Sequence, residues 1–410
     1  MGHIKDDFPA LLQRVNGRPL VYLDSAATAM RPDSVLSAID GFYRLDAANP
    51  HRGLYEMAVR ATAAYDGARE LVADFVGVTP EETIFVRNTS EALNLVAYCY
   101  GQDAVSSGDN IVITIAEHHS NLVPWQRIAQ KNGAELRYLY IDRATGEIPD
   151  AEIERKIDSR TKIVAFTHVS NVLGCVFPVA KLVASAKRHG AVTVLDAAQS
   201  VPHMPVNFNE LGVDFAAFSA HKMYGPMGIG ALYGRRELLE RMPPFLSGGD
   251  MIDDVFEQET IYAPLPHKFE AGTQNGGGAV GFAAAVSYVR SIGWERIREN
   301  EKRVMAKLIR ELSALPYIQI TGSRDERAER VGVVSFSIDD VHPHDAASVL
   351  DEFGVAVRAG KHCAHPLMIF LDVPFRATCR ASLGIYTTEG DIDAFIDALR
   401  RVRGKLGYGD

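Results

Sequence analysis

Cysteine is scarce: four in 410 residues, Cys99, Cys175, Cys363 and Cys379. None forms a CxxC pair or a zinc-type spacing, which argues against a disulfide framework and against a cysteine-held metal. No run of about 18 apolar residues occurs, so no segment is suited to cross a membrane as a helix. Basic residues are in deficit, Lys+Arg 43 against Asp+Glu 52, a net charge of −9. Without a basic excess or a basic run the chain is a poor partner for nucleic acid or an anionic membrane. Gly 34 and Pro 19 are near ordinary usage and exclude collagen-like and low-complexity chains. The opening MGHIKDDFPALLQRV has no basic region followed by an apolar one, and it carries Asp6 and Asp7, unlike a targeting peptide. These absences point to a cytoplasmic, reducing setting, where a cysteine that matters is chemical rather than structural.

What is present is a long series of short apolar runs: Thr83–Arg87, Asn110–Ile115, Ala134–Tyr140, Lys162–Thr167, Ala191–Leu195, Asp214–Phe218 and Ile229–Tyr233. Their continuous apolarity and β-branching suit buried parallel strands, and most are separated by enough chain for a helix. The pattern predicts a doubly wound α/β sheet of seven strands, mostly parallel. The Gly- and Pro-rich gap between Phe218 and Ile229 is too short for a crossover helix, so the last strand is expected to be antiparallel. The character changes near residue 290. Trp294–Leu315 reads as a helix with Ile297, Val304, Leu308 and Leu312 on one side, and Val331–Ile338 and Val355–Arg358 read as strands. Residues 379–385 alternate, with Cys379, Ala381, Leu383 and Ile385 on one face and Arg380 on the other. Thr388 is placed to cap a last helix. The division expected is a large domain over 21–290 and a smaller α+β domain from 1–20 and 291–410.

Ligands of open α/β sheets bind beyond the carboxyl ends of the strands. Polar groups follow five of the runs: Asn88, Thr89, Ser90 and Glu91; Glu117, His118 and His119; His168, Ser170 and Asn171; Asp196 and Gln199; Ser219, His221 and Lys222. Singly, each has an ordinary reading. Asn88 to Glu91 has helix-capping spacing, Asp196 could cap a helix, and Lys222 could be solvated. Together they predict one site. Asn88–Glu91 opens an apolar helix and could equally seat a phosphate on its free N–H groups. A carboxylate at one strand end and a lysine beyond the next suit pyridoxal phosphate, the lysine as Schiff-base partner and the carboxylate on the pyridine nitrogen. A zinc site from His118, His119, His168 and His221 lacks any supporting spacing, and no metal is expected. Gly276, Gly278 and Gly281 match GxGxxG but follow no apolar strand, so a dinucleotide site is disfavoured.

Cys99 and Cys379 read as core, and Cys175 sits in a loop without an obvious partner. Cys363 lies among Arg358, Lys361, His362 and His365, and cationic neighbours favour a thiolate.

These motifs resemble the class V aminotransferase-like enzymes, and within them the Suf-type (group II) cysteine desulfurases and selenocysteine lyases. The resemblance runs from Tyr22-Leu-Asp-Ser-Ala-Ala27 to about Tyr386. It includes His51-Arg-Gly53, Glu117-His-His119, Thr167-His-Val-Ser-Asn-Val-Leu-Gly174, Asp196-Ala-Ala-Gln199, Ser219-Ala-His-Lys-Met-Tyr-Gly-Pro226, Phe269-Glu-Ala-Gly-Thr273, the Cys363 window and Cys379-Arg-Ala-Ser382. It implies a homodimer of fold-type-I pyridoxal-phosphate enzymes. Lys222 would carry the cofactor and Asp196 would meet its ring nitrogen. His118 would stack on the ring, and Gln199 and Asn171 would touch the ring-oxygen region. Thr89, Ser219 and His221 would hold the phosphate, joined by Thr273 of the other subunit. Arg380 would bind the substrate carboxylate, with Arg358 and Asn171 as further substrate contacts, and Cys363 would accept the sulfur.

The reaction implied is L-cysteine to L-alanine with a persulfide on Cys363, handed to an acceptor protein of the SufE or SufU type for iron–sulfur cluster assembly. Selenocysteine lyase and cysteine-sulfinate desulfinase are the nearest alternatives, and a kynureninase-like hydrolase a further one. Lys361, Gln274 and Ala220 depart from the family's common His, Pro and Gly. From other classes, an NAD oxidoreductase lacks its strand, and a cofactor-free scaffold leaves the polar strand ends unexplained.

Overall fold

The computed structural model describes residues 2–51, 53–325 and 328–408. Arg52, the middle of the His51–Gly53 motif, lies outside the described residues.

Val21–Tyr22 (β1) precedes the seven strands of one sheet: Thr83–Val86 (β2), Asn110–Thr114 (β3), Glu135–Leu139 (β4), Thr161–Thr167 (β5), Val192–Asp196 (β6), Phe215–Ser219 (β7) and Gly230–Gly234 (β8). The order is β2-β8-β7-β6-β5-β3-β4. Strands β3 to β7 pair in parallel, while β8 is antiparallel to both β7 and β2, as the short gap after Phe218 requires. Both faces are covered. Ile111, Ile113, Ile163 and Phe215 point into one apolar core. Val112, Val164, Phe166 and Phe218 point into the other. This alternation within continuous apolar runs is what a sheet buried on both sides demands. Each such side chain contributes roughly 1.5–3 kcal/mol on burial.

The Gly276–Gly281 run opens the helix Gly276–Ile292, capped by the Asn275 side chain on the Gly278 amide. A Cβ on Gly276 would come within 2.6 Å of the Phe42 ring. These glycines therefore serve close packing against the helix Asp33–Leu45.

A second sheet is antiparallel: Ile318–Ile320 (β9), Val333–Ile338 (β10), Arg358–Gly360 and Thr378–Ser382, in the order first, second, fourth, third. The single strand expected over 355–358 is divided. Val355–Ala356 (β11) pairs in parallel with β1, and the chain then shifts so that Arg358–Gly360 (β12) pairs with Thr378–Ser382 (β13). Val355 stays in an apolar core with Val21 and Leu23, while Arg358 turns to face Arg380. The alternation from 379 holds for Cys379 and Ala381, which enter that core, but β13 ends at Ser382. Both faces of β13 are buried, and Arg380 is only 2% exposed. The Trp294–Ser313 helix lays Val304, Leu308 and Leu312 on the same core. Thr388 closes a capping box with Asp391 at the start of the Glu389–Leu399 helix, worth about 1 kcal/mol.

The two sheets meet where the loop after β5 reaches β10. Gly174 has φ +70°, and a Cβ there would lie 2.5 Å from the Val333 carbonyl oxygen. Only glycine permits that approach, which presses the loop bearing Asn171 against the second sheet.

Candidate active site

The carboxyl ends of β3, β5, β6 and β7 and the start of the Thr89–Val96 helix open onto one cavity of about 200 Å³. Thr89, His118, Asn171, Asp196, Ser219, His221, Lys222, Arg358, Cys363 and Arg380 all line it. Two expected site residues stand apart. Gln199 is buried beside the cavity, donating from Nε2 to the Ala26 carbonyl at 2.9 Å. Thr273 is exposed and lines a separate groove with Gln274 and Phe245.

Lys222 ends a short turn directly after β7. Among the described residues its ammonium has neither a hydrogen bond nor an ion pair. Burial pushes its pKa down, and Asp196 opposes that shift. Asp196 is the last residue of β6 and accepts from the Ala198 amide at 3.0 Å. Burial raises its pKa, against the pull of Lys222. A buried acid with one hydrogen bond and a half-buried base with none among the described residues, both lining one cavity, suit a ligand that engages both.

At the helix start the Thr89 amide donates to Ser219 Oγ at 2.8 Å, and the two hydroxyls lie 2.7 Å apart. Asn88 Oδ1 accepts from the Glu91 amide at 3.0 Å, so the helix is capped as the spacing suggested. The remaining N–H groups and the helix dipole favour an anion beside these hydroxyls. His221, pushed down to about 4 by burial, is neutral and approaches Thr28 Oγ1 at 3.3 Å. Gln199 Oε1 is buried with no partner among the described residues. An anion cup, a buried carboxylate, a free lysine and an orphaned amide oxygen fit pyridoxal phosphate.

His118 is pushed down to about 3, first by burial and then by Lys222. The Ser120 amide donates to its Nδ1 at 3.1 Å, so the neutral ring carries its proton on Nε2. Glu117 beside it is fully buried and pushed up to about 8 by burial. Its carboxyl accepts from Asn121 at 2.7 Å and from the Thr167 amide at 2.9 Å, joining the ends of β3 and β5. Its position in the motif gave no hint of this anchoring role.

Arg380 Nη1 donates to the Asn171 carbonyl at 3.0 Å, and Nη2 to Asp24 Oδ1 at 3.1 Å. Its Nε is buried with no partner among the described residues. Asp24 is a contact that sequence reasoning missed, although it sits in the Tyr22-Leu-Asp motif. Asn171 spends its amide Nδ2 on the His362 carbonyl at 2.8 Å and so braces the cysteine turn. Of the thiols, burial pushes Cys99 to about 11 and both Cys175 and Cys379 to about 12. Cys363 alone of the four lines the cavity.

A half-buried lysine, a strand-end carboxylate and an anion cup on a mostly parallel seven-stranded sheet define a pyridoxal-phosphate enzyme site. The aminotransferase class-V model matches residues 21–395, and the chain belongs to that family. It is 47% identical to a probable cysteine desulfurase of Halalkalibacterium halodurans, over 99% of this chain and 98% of the relative. It is 45% identical to a cysteine desulfurase of Pectobacterium atrosepticum, over 98% of each. Among solved structures, the apo cysteine desulfurase of Thermococcus onnurineus superposes with TM-score 0.91 at 40% identity, covering 98% of both chains. The Escherichia coli cysteine desulfurase CsdA superposes with TM-score 0.89 at 37% identity, again covering 98% of both. No helix among the described residues is long and apolar enough to cross a membrane.

Proposed function

We propose that this chain is a pyridoxal-phosphate-dependent cysteine desulfurase that converts L-cysteine to L-alanine and keeps the sulfur on Cys363 as a persulfide. The observation that carries the reading is that Cys363, Lys222 and Arg380 share one cavity. Pyridoxal phosphate, when bound, supplies an electron sink for the substrate's Cα. Thr89, Ser219 and His221 would hold its phosphate, Asp196 its ring nitrogen, and His118, Gln199 and Asn171 its ring. Arg380, with Arg358, binds the substrate carboxylate through charge-assisted hydrogen bonds. Lys222 would carry the cofactor, and its Nζ, whose basicity burial moderates, would take the Cα proton.

The Cys363 thiolate then attacks the substrate sulfur. An S–S bond forms, the C–S bond breaks, and its electron pair passes to carbon. A proton delivered by Lys222 Nζ or His118 Nε2 completes the methyl group of alanine. In sum one cysteine and one enzyme thiol give one alanine and one enzyme persulfide.

The segment joining β12 to the His365–Phe370 helix spans only residues 361–364, which supports the Suf-type (group II) reading. That reading brings a cytoplasmic homodimer in which Thr273 completes the phosphate site of the second copy. It also brings an acceptor protein of the SufE or SufU type and a place in iron–sulfur cluster assembly. The large domain would span 21–290 and the small one 1–20 and 291–410, with Val21 and Leu23 at the boundary packing into the core of the second sheet.

The test is alanine formation from L-cysteine, L-selenocysteine and L-cysteine sulfinate, with and without an acceptor protein. Acceptor-stimulated turnover of L-cysteine is expected. Turnover of selenocysteine or sulfinate alone would overturn the desulfurase reading in favour of a lyase or desulfinase. Analytical ultracentrifugation tests the dimer, and a fully loaded, active monomer would overturn it.

A further inference from the structure

His362 and Cys363 both have left-handed backbones, φ +50° and +57°. Two successive non-glycine residues in that region cost on the order of 1–3 kcal/mol each and persist only where neighbours hold them. The holding contacts are specific. Asn171 Nδ2 donates to the His362 carbonyl at 2.8 Å, and His362 Nε2 lies 2.9 Å from Thr378 Oγ1. The His119 amide donates to the Cys363 carbonyl at 2.8 Å. On the far side of the turn, His119 Nε2 accepts from the His365 amide at 3.2 Å and lies 3.0 Å from His365 Nδ1. The two imidazoles are 4.8 Å apart at 31°.

His119 thus grips the C-terminal side of the turn twice, by its backbone at the Cys363 carbonyl and by its ring at the His365 amide where the helix starts. Nε2 faces the His365 amide, so it acts as acceptor and the neutral ring carries its proton on Nδ1. His119 does not line the cavity, and it immediately follows His118, which does.

We propose that His119 is a positioning residue that clasps the Cys363 turn and sets the thiol for attack on the substrate sulfur. This rests on the desulfurase reading above. It separates sulfur transfer from the cofactor chemistry, because a sulfinate leaves as sulfur dioxide with the C–S pair retained on carbon and needs no thiol nucleophile.

The test compares His119→Ala, His119→Gln and His365→Ala holoenzymes. For His119→Ala, the kcat for L-cysteine is expected to fall about tenfold, the loss of roughly one hydrogen bond to a strained group. KM, the visible cofactor band and L-cysteine sulfinate turnover stay at wild-type values. Iodoacetamide should label Cys363 several-fold faster, read by peptide mass spectrometry. His119→Gln, whose Oε1 can take the His365 amide, restores both readouts. His365→Ala, which keeps the amide but loses the second ring, shows a smaller loss of the same kind. Wild-type L-cysteine kcat and labelling rate in His119→Ala would overturn the proposal. Equal loss of L-cysteine and sulfinate turnover would also overturn it, since that marks a purely structural role. The labelling readout does not depend on which substrate the wild type prefers, so failure of the desulfurase reading is seen separately, in wild-type turnover.

Discussion

Arg380 stands directly opposite Arg358 on the neighbouring antiparallel strand. Like charges facing each other across a ladder are destabilising unless an anion sits between them. Asp24 compensates in part, at 3.1 Å from Arg380 Nη2, and burial raises the Asp24 pKa against that pairing. Nη1 donates to the Asn171 carbonyl and Nη2 to Asp24, while Nε has no partner among the described residues, and each terminal nitrogen keeps a second hydrogen. The unused donors leave the guanidinium able to take a carboxylate as well.

Arg380→Ala is therefore expected to raise the KM for L-cysteine by at least about tenfold, from the loss of charge-assisted bonds of about 1.5–3 kcal/mol each. Steady-state kinetics check this, and an unchanged KM would assign the arginine to structure alone. The variant should also lose thermal stability, because Asp24 is left without its partner in a partly buried position.

Lys222→Ala should abolish turnover of every amino-acid substrate while leaving the Thr89, Ser219 and His221 cup able to hold the cofactor. Borohydride reduction of the wild-type holoenzyme followed by peptide mapping should find the pyridoxyl group on Lys222. Label on Lys361 instead would refute the assignment.

The seven strands were legible because a sheet covered on both faces writes continuous β-branched runs, and the short Gly–Pro gap after Phe218 gave away the antiparallel strand. The strand-end residues were legible because an α/β sheet gathers whatever follows its strands at one edge. Contacts between sequence-distant segments were not. Asp24 meets Arg380 only because β1 joins the C-terminal half, and no periodicity carries that pairing. The division of 355–358 was hidden for a similar reason: its apolar residues are consistent with one strand, and only the two partners, β1 and β13, force the shift. Thr273 lies outside the cavity of its own chain, where spacing alone could not assign it a role.

Acid should destabilise the cofactor-free protein. Burial pushes His118 and His362 to about 3 and His168 and His221 to about 4, all below the ordinary 6.5. Each is neutral when folded and protonated when unfolded below 6.5, so each contributes stability that is lost as the pH falls. Glu117 acts in the opposite sense. Raised to about 8 from 4.5, it is protonated when folded and ionised when unfolded across this window, and its contribution is lost as the pH rises. Between pH 4.5 and 6.5 the four histidines outweigh Glu117, and among these five groups unfolding takes up protons on balance. Urea unfolding measured at several pH values in this window gives the slope. Glu117→Gln should steepen it by about one proton, and a flat profile would contradict the neutral buried histidines.

Cys363→Ala separates this enzyme from others that share its cofactor. Cys363 stands in the cavity with Lys222, yet the cofactor contacts assigned to Lys222, Asp196 and the Thr89–Ser219 cup do not require the thiol. The variant should keep its visible cofactor band and its affinity for L-cysteine. Sulfur removal from L-cysteine should stop, because the other three cysteines lie outside the cavity and burial holds them protonated, Cys99 at about 11 and Cys175 and Cys379 at about 12. L-Cysteine sulfinate turnover should persist in part, since its sulfur leaves without nucleophilic attack. Mass spectrometry of the wild type after L-cysteine should find one reductant-labile sulfur on the Cys363 peptide. If Cys363→Ala desulfurates L-cysteine at near the wild-type rate, or the added sulfur sits on Cys175, a thiol-independent lyase replaces the mechanism drawn here.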